Sequence, residues 1–399
     1  MSVFADLVGQ ERVVEQLEAA AADAARLVAG QPGGPQRRAG GMTHAWLFTG
    51  PPGSGRSVAA RAFAAALQCE TPGEPGCGRC SGCLQALSGA HPDVALIVPE
   101  GLHLSISDAR EVIVRSSRAP TRGRWQITLI EDADRMEERT SNTVLKAVEE
   151  PPPHSVLLLC APSVEDLLPT IRSRCRLAAL RTPPAEAVAS VLVRRDGVDP
   201  AMAAFAAQAA QGHIGRAKRL ATDEEARRER RDVLSLPRSL QGVGSALTAA
   251  RDLVDAAQAE ATALTSSRDV AEKESLATAL GAGATGKGVT GATRAGAGAL
   301  KELEKRQKSR GTRTSRDALD RALVDLAAFY RDVLQLQLGT GTALVHGDLG
   351  EQAGVIARAT TPESTLRRID AVLACREALE ANVAPLLAVE AMALALRTG

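Results

Sequence analysis

The chain has 399 residues, 45% of them apolar, enough for two or three domains with sizeable cores, which excludes a chain disordered throughout. Its 48 basic and 47 acidic residues leave a net charge of +1, excluding a strongly basic polyanion binder, and 2% aromatic residues are too few for a protein that stacks bases on rings. No apolar run approaches the ~18–20 residues that cross a bilayer, and MSVFADLVGQ lacks the basic and apolar regions of a secretion signal, so a cytoplasmic location without membrane contact is expected.

Residues 1–182 alternate short apolar runs with helical patterns. Strands are predicted at Ala45–Thr49, Val94–Val98, Ile127–Ile130 and Val156–Leu159, and helices at Val58–Gln68, Ser107–Ser117 and Thr140–Glu149. Near-continuous apolar runs are what buried parallel strands look like. Their alternation with helices predicts a doubly wound α/β domain. Gly30–Gly41 is a Gly/Pro-rich surface loop within it.

The first strand runs into GPPGSGRS, residues Gly50, Pro51, Pro52, Gly53, Ser54, Gly55, Arg56 and Ser57. A strand, a glycine loop and a helix start are the context of a phosphate-binding loop, G-x-x-x-x-G-K-[ST]. Gly53 and Gly55 permit the tight turn that faces backbone N–H groups toward a phosphate, and the helix adds its positive end. Ser57 fits a Mg²⁺ ligand. Arg56 stands where the pattern has lysine; a forked guanidinium does not replace a compact ammonium conservatively, so ATP/Mg²⁺ binding is expected to be weak. The third strand ends in Glu131-Asp132, which suits a Mg²⁺ anchor and a water-orienting base.

Cys69, Cys77, Cys80 and Cys83 follow as C-x₇-C-x₂-C-x₂-C. Four thiolates so close suit tetrahedral Zn²⁺ with no open position, hence a structural metal module over 69–83. Cys160, Cys175 and Cys375 are expected to be buried small hydrophobes. Arg110, Arg115, Arg118, Arg122 and Arg124 form a basic group that is either a solvated face or a contact for phosphates.

Pro183-Pro184 marks a join. Residues 183–225 carry helical periodicity only, and 226–399 contain no strand candidate; Asp317–Leu334 and Thr365–Leu379 are amphipathic helices. Leu280–Leu300, rich in Gly, Ala and Thr, has too little apolar bulk to offset its ordering entropy and is expected to be flexible.

These motifs stand in an order that resembles the clamp-loader AAA+ family of bacterial DNA polymerase III, most closely its delta-prime type. The similar stretches are FADLVGQERVVEQL (4–17), HAWLFTGPPGSGR (44–56), the cysteine cluster, IEDADRM (130–136), SNTVLKAVEEPP (141–152) and IRSRCR (171–176). The resemblance covers about residues 1–220. It implies an α/β AAA+ P-loop domain (1–182), a helical lid (183–225) and an all-α C-terminal collar (226–399) that oligomerises. It further implies a five-membered ring with gamma/tau and delta type subunits, which places a sliding clamp on primer-template DNA. Zinc on the first domain is also a property of the family.

By the same resemblance Val8, Gly9 and Gln10 border the adenine, Glu131 and Asp132 are the acidic pair, and Arg216 is the lid arginine that touches nucleotide. Arg174, in Ser173-Arg174-Cys175, matches an arginine finger that serves a neighbour's site. Ala161 falls where an active subunit has a polar residue that senses the γ-phosphate. A blunted pocket beside an intact finger implies a stator with weak or no ATPase of its own. The alternatives are an active ATPase of gamma/tau type, and a zinc-dependent nucleic-acid-binding module.

Overall fold

The computed structural model describes residues 2–30, 41–280 and 289–399. The chain divides into two compact units, Met1–Pro99 with His103–Thr222, and Glu100–Leu102 with Asp223–Gly399.

In the first unit all four predicted strands form, joined by a fifth: β1 (Ala45–Thr49), β2 (Val94–Ile97), β3 (Gln126–Ile130), β4 (Ser155–Ala161) and β5 (Arg176–Ala179). All pair in parallel, in the order β2-β3-β4-β1-β5. Alternate residues of β1 enter two different cores. Trp46 and Phe48 pack with Phe63, Ile127 and Leu158; Ala45 and Leu47 pack with Val112, Val144 and Leu157. Covering on both faces explains why these strands read as unbroken apolar runs. The Trp46 and Phe63 rings lie 4.8 Å apart, centroid to centroid, in a tilted pair that adds about 0.5–1.5 kcal/mol to their burial.

The helices of this unit are α1 (Glu11–Val28), α2 (Arg56–Leu67), α3 (Ser81–Ser88), α4 (Ile106–Ser116), α5 (Glu138–Glu149), the single turn α6 (Pro169–Arg172), α7 (Ala185–Asp196), α8 (Pro200–Ala209) and α9 (Ile214–Thr222). Helix α4 starts where Ser105 and Asp108 exchange side-chain to backbone hydrogen bonds, a capping box that satisfies two otherwise open N–H groups. The segment expected to be helical over 183–225 contains α7, α8 and α9, and these belong to the first unit. Just before β2, buried Asp93 accepts four bonds of 2.5–2.8 Å from the N–H groups of Thr121, Arg122 and Gly123 and the Thr121 hydroxyl. Burial works against its charge, but these donors win and bring its pKa down to about 2. They also pin the loop that carries Arg122 and Arg124.

The second unit is helical: α10 (Glu224–Ser239), α11 (Val243–Ala279), α12 (Val289–Leu338), α13 (Gly350–Ala359), α14 (Pro362–Glu380) and α15 (Pro385–Thr398). Leu253, Leu319, Leu323, Leu326, Tyr330, Val389 and Met392 form its main core. The fold class is therefore as expected, an α/β P-loop domain followed by an all-α region. Of the stretch expected to be flexible over 280–300, residues 281–288 lie outside the described set, as do 31–40 of the Gly/Pro-rich loop, and helix α12 begins at Val289.

A buried polar network closes one end of this unit. Arg230 donates to both carboxylate oxygens of Asp348, at 2.8 and 2.9 Å, and to Nδ1 of His346 at 2.8 Å. His346 Nε2 lies 3.2 Å from the Asp325 carbonyl, and Asp332 accepts from the N–H groups of Val345 and His346. The acceptor role of Nδ1 fixes the neutral tautomer with hydrogen on Nε2. Burial, then Arg230, holds the His346 pKa below its ordinary value.

Candidate functional site

The phosphate loop occupies the carboxyl ends of the strands, where open parallel sheets bind ligands. Register sets Thr49 of β1 opposite Ala161 of β4 and Ala179 of β5. Gly50 N–H then donates to the Pro162 carbonyl (3.1 Å), and Leu180 N–H to that of Thr49 (2.7 Å). Gly55 caps α2 with φ +92, and the Ser54 hydroxyl is buried with no hydrogen-bond partner. A glycine cap at the N-terminus of a twelve-residue helix, with an orphaned hydroxyl beside it, fits an anion.

The charged side chains are turned to other tasks. Arg56 Nη1 donates to the Gly50 carbonyl at 2.6 Å, so the guanidinium closes on its own loop. Glu131, at the end of β3, is held by Arg61 at 2.8 Å. Asp132 has φ +49, and its carboxylate lies 3.8 Å from Arg135 Nε. Asp134 completes an acidic turn that the motif pattern did not single out. Burial, then the charge of Asp132, pushes its pKa up, and its Oδ1 has no hydrogen-bond partner.

The segment Val8-Gly9-Gln10 and the turn before α9 meet this loop. Buried Gln10 donates to the Arg181 carbonyl at 2.6 Å and the Ser54 carbonyl at 3.3 Å, and accepts from Arg181 N–H at 3.0 Å. Its amide thus ties the loop to the chain leaving β5. Gly53, with φ +85, faces the turn directly: a Cβ there would lie 2.5 Å from the Cα of His213. Only glycine permits that approach in this conformation. Arg216 stands in the first turn of α9, its N–H bonded to His213 Nδ1 at 3.2 Å.

Arg174 projects from the turn between α6 and β5 and is 43% exposed. It pairs with Glu149, at the end of α5, at 2.9 Å, and donates to the Thr170 carbonyl at 3.0 Å and the Ser173 hydroxyl at 3.2 Å. An exposed ion pair of this kind is worth only about 0–1 kcal/mol, so the guanidinium can leave Glu149 at small cost. The adjacent Cys175 thiol, by contrast, is pushed up to about 12 by burial.

The four cysteines converge between α2 and α3. Their sulfurs all lie within 4.8 Å of one another, and Cys80 Sγ is 3.9 Å from Cys69 Sγ. Four thiolates at ~2.3 Å from one ion would be about 3.8 Å apart, so the set fits tetrahedral coordination. Cys80 caps α3, its sulfur accepting from Cys83 N–H and Glu70 N–H, each at 3.4 Å. Burial opposes ionisation of Cys77, but the Thr71 hydroxyl and the N–H groups of Arg79 and Cys80 outweigh it and lower its pKa to about 6. Gly82 lets α3 close on α2, since a Cβ there would stand 2.1 Å from the Gln68 carbonyl. Gln68 in turn donates to the Trp125 carbonyl at 2.6 Å, joining the module to β3.

Residues 35–184 match the family described as DNA polymerase III, delta subunit. The gamma/tau subunit of Mycobacterium tuberculosis is 31% identical over 193 residues, 48% of this chain and 31% of that protein. The delta-prime subunit of Pseudomonas aeruginosa is 35% identical over 163 residues, 40% of this chain and 50% of that protein. Part of the chain is thus similar to DNA polymerase III gamma/tau and delta-prime subunits. The chain spans about a third to a half of the length of these relatives, and the family match over residues 35–184 contains the phosphate loop, the acidic strand end and the cysteine cluster. A gamma subunit-related protein of Thermotoga maritima aligns over 95% of this chain and 99% of its own, at 15% identity and a TM-score of 0.37. No described helix is long and apolar enough to cross a membrane.

Arg61, Asp134, Gln10 as a structural tie, and the contact between Gly53 and His213 were not legible in the motifs. Arg61, Gln10 and the Gly53–His213 contact depend on partners far along the chain; Asp134, beside Asp132 within IEDADRM, left a local signal.

Proposed function

We propose that this chain is a delta-prime-like stator of the AAA+ DNA polymerase III clamp loader. It stands beside gamma/tau and delta type subunits in a five-membered ring and lends Arg174 to a neighbour's ATP site while the sliding clamp is placed on primed DNA. The observation that carries this is the contrast between two arginines. Arg56 is folded onto Gly50 inside its own loop, whereas Arg174 sits at the surface on a weak, exposed pair with Glu149. A guanidinium supplied in trans stabilises charge on a transferring phosphoryl group and is worth roughly 10³–10⁵ in rate.

In this role the chain's own loop serves chiefly as scaffold. ATP, where bound, would meet the N–H groups of residues 53–57 and Arg216, with Val8, Gly9 and Gln10 at the base and Ser57, Glu131 and Asp132 toward Mg²⁺. When bound, ATP would supply a triphosphate charge for the loop N–H groups and Arg216 to hold. Zn²⁺ on Cys69, Cys77, Cys80 and Cys83 would be structural, clamping α3 to α2, and the protein would work in the cytoplasm.

Arg174→Ala in the reconstituted loader tests the proposal. The variant should fold and assemble normally, while DNA- and clamp-stimulated ATPase falls at least about a hundredfold. An unchanged rate shows that no neighbour uses the residue. The second reading, an active ATPase of gamma/tau type, is favoured by the glycine cap and the orphaned Ser54 hydroxyl. Turnover on the order of 1 s⁻¹ by the isolated chain would establish it instead.

A further inference from the structure

Helices α10 and α11 leave between them an open groove of about 920 Å³, floored in part by α12. Along α11 its lining positions recur every three to four residues from Ser245 to Ala263, so one whole helix face is open over roughly 27 Å, at 1.5 Å per residue. The floor holds half-buried Val233 and the largely buried Leu236 and Leu253, and the rest of the lining is mostly small or acidic, with seven alanines, three serines and a threonine. Small residues let another backbone approach closely. A trough of this length suits a helix of about five turns rather than a compact metabolite.

The charges along the groove are of one sign. Glu225, Glu229 and Asp232 line it from α10 at i, i+4 and i+7; Asp252 and Glu260 line it from α11, and among the described residues no lysine or arginine does. Helix α10 also carries Arg227, Arg228, Arg230, Arg231 and Arg238, yet none of them faces the groove. Glu225 and Glu260 are paired within the chain, to Arg228 and Arg321. Asp232 and Asp252 are exposed and have no ion-pair partner among the described residues.

We propose that this groove docks a basic amphipathic helix of a partner protein, its apolar stripe on Val233, Leu236 and Leu253 and its lysines or arginines against Asp232 and Asp252. One-signed carboxylate walls exclude nucleic acid and acidic peptides and favour a cationic helix. The inference needs only the helical unit and stands apart from the stator role, so either can fail without the other.

The test uses the full chain and a fluorescent synthetic peptide of about 20 residues, ~30 Å as a helix, with leucine and alanine on one face and lysine on the other. Anisotropy should show saturable binding that weakens with salt. The double variant Asp232→Lys/Asp252→Lys should bind at least about tenfold more weakly, with an unchanged circular-dichroism melt. Ala256→Trp, which fills the groove without altering charge, should also weaken binding. A peptide of the same composition with its apolar face permuted away should not bind. Undiminished binding in either variant, or equal binding of the permuted peptide, overturns the proposal.

Discussion

Arg56 bonds the carbonyl of Gly50, six residues before it, at 2.6 Å, so the residue that should reach for phosphate instead braces the loop that would hold it. Arg56→Lys replaces the fork with the compact ammonium that the loop pattern calls for. The isolated variant should bind a fluorescent ATP analogue about tenfold or more tightly than the parent, roughly the contribution of one charge-assisted bond. Equal affinities would mean that the brace does not set nucleotide binding.

Gly53 meets the turn at His213 so closely that a single methyl group tests the junction. Gly53→Ala introduces both left-handed strain and a 2.5 Å clash with backbone, whereas Gly197→Ala, at φ +65 with nothing within 4 Å, introduces the strain alone. Urea denaturation should show a loss of about 1 kcal/mol for Gly197→Ala and about 2–4 kcal/mol for Gly53→Ala. Equal losses would show that α9 moves away freely from the phosphate loop.

What was legible in the sequence is what is contiguous. The phosphate loop, Glu131-Asp132 and the cysteine cluster are runs whose own spacing carries the chemistry, and the buried strands β1 and β4 announce themselves by apolar composition. Strand β5 escaped notice because it lies at an edge and alternates exposure, with only Ala178 fully buried. The pairs Arg61–Glu131 and Arg174–Glu149 and the tie between Gln10 and Arg181 are set by how strands and helices meet in space. No local pattern records them.

His346 gives the helical unit a pH dependence of definite sign. Its folded pKa lies below the ordinary value of about 6.5, because of burial and then the charge of Arg230. The unfolded chain therefore takes up the proton first as pH falls, so this contribution to stability is complete above about 6.5 and is lost on acidification below it. Asp325, Asp332 and Asp348 also face this network, and Asp348 remains ionised in this range, its pKa lowered by Arg230 against the cost of burial. Urea midpoints measured between pH 7.5 and 5.5 should fall for the parent. They should fall less steeply for His346→Gln, whatever that variant's absolute stability. Parallel slopes would remove His346 as the source; His91, also buried with a lowered pKa, would then be examined in the same way.

The cysteine module makes the most direct chemical prediction. Cys80 caps α3 and lies 3.9 Å from Cys69, and the module's packing on α2 depends on the close approach of Gly82 to the Gln68 carbonyl. A metal on the four sulfurs would couple all these contacts, so its binding energy becomes folding energy. Protein purified without chelator should contain about one zinc per chain, and Cys80→Ser should contain little. Removing the metal should lower the melting temperature of the first unit and open the amides of residues 69–88 to hydrogen exchange, while the helical unit melts as before. Metal-free protein with the same melting curve and the same exchange would show that the sulfurs pack as thiols and that the module does not need an ion.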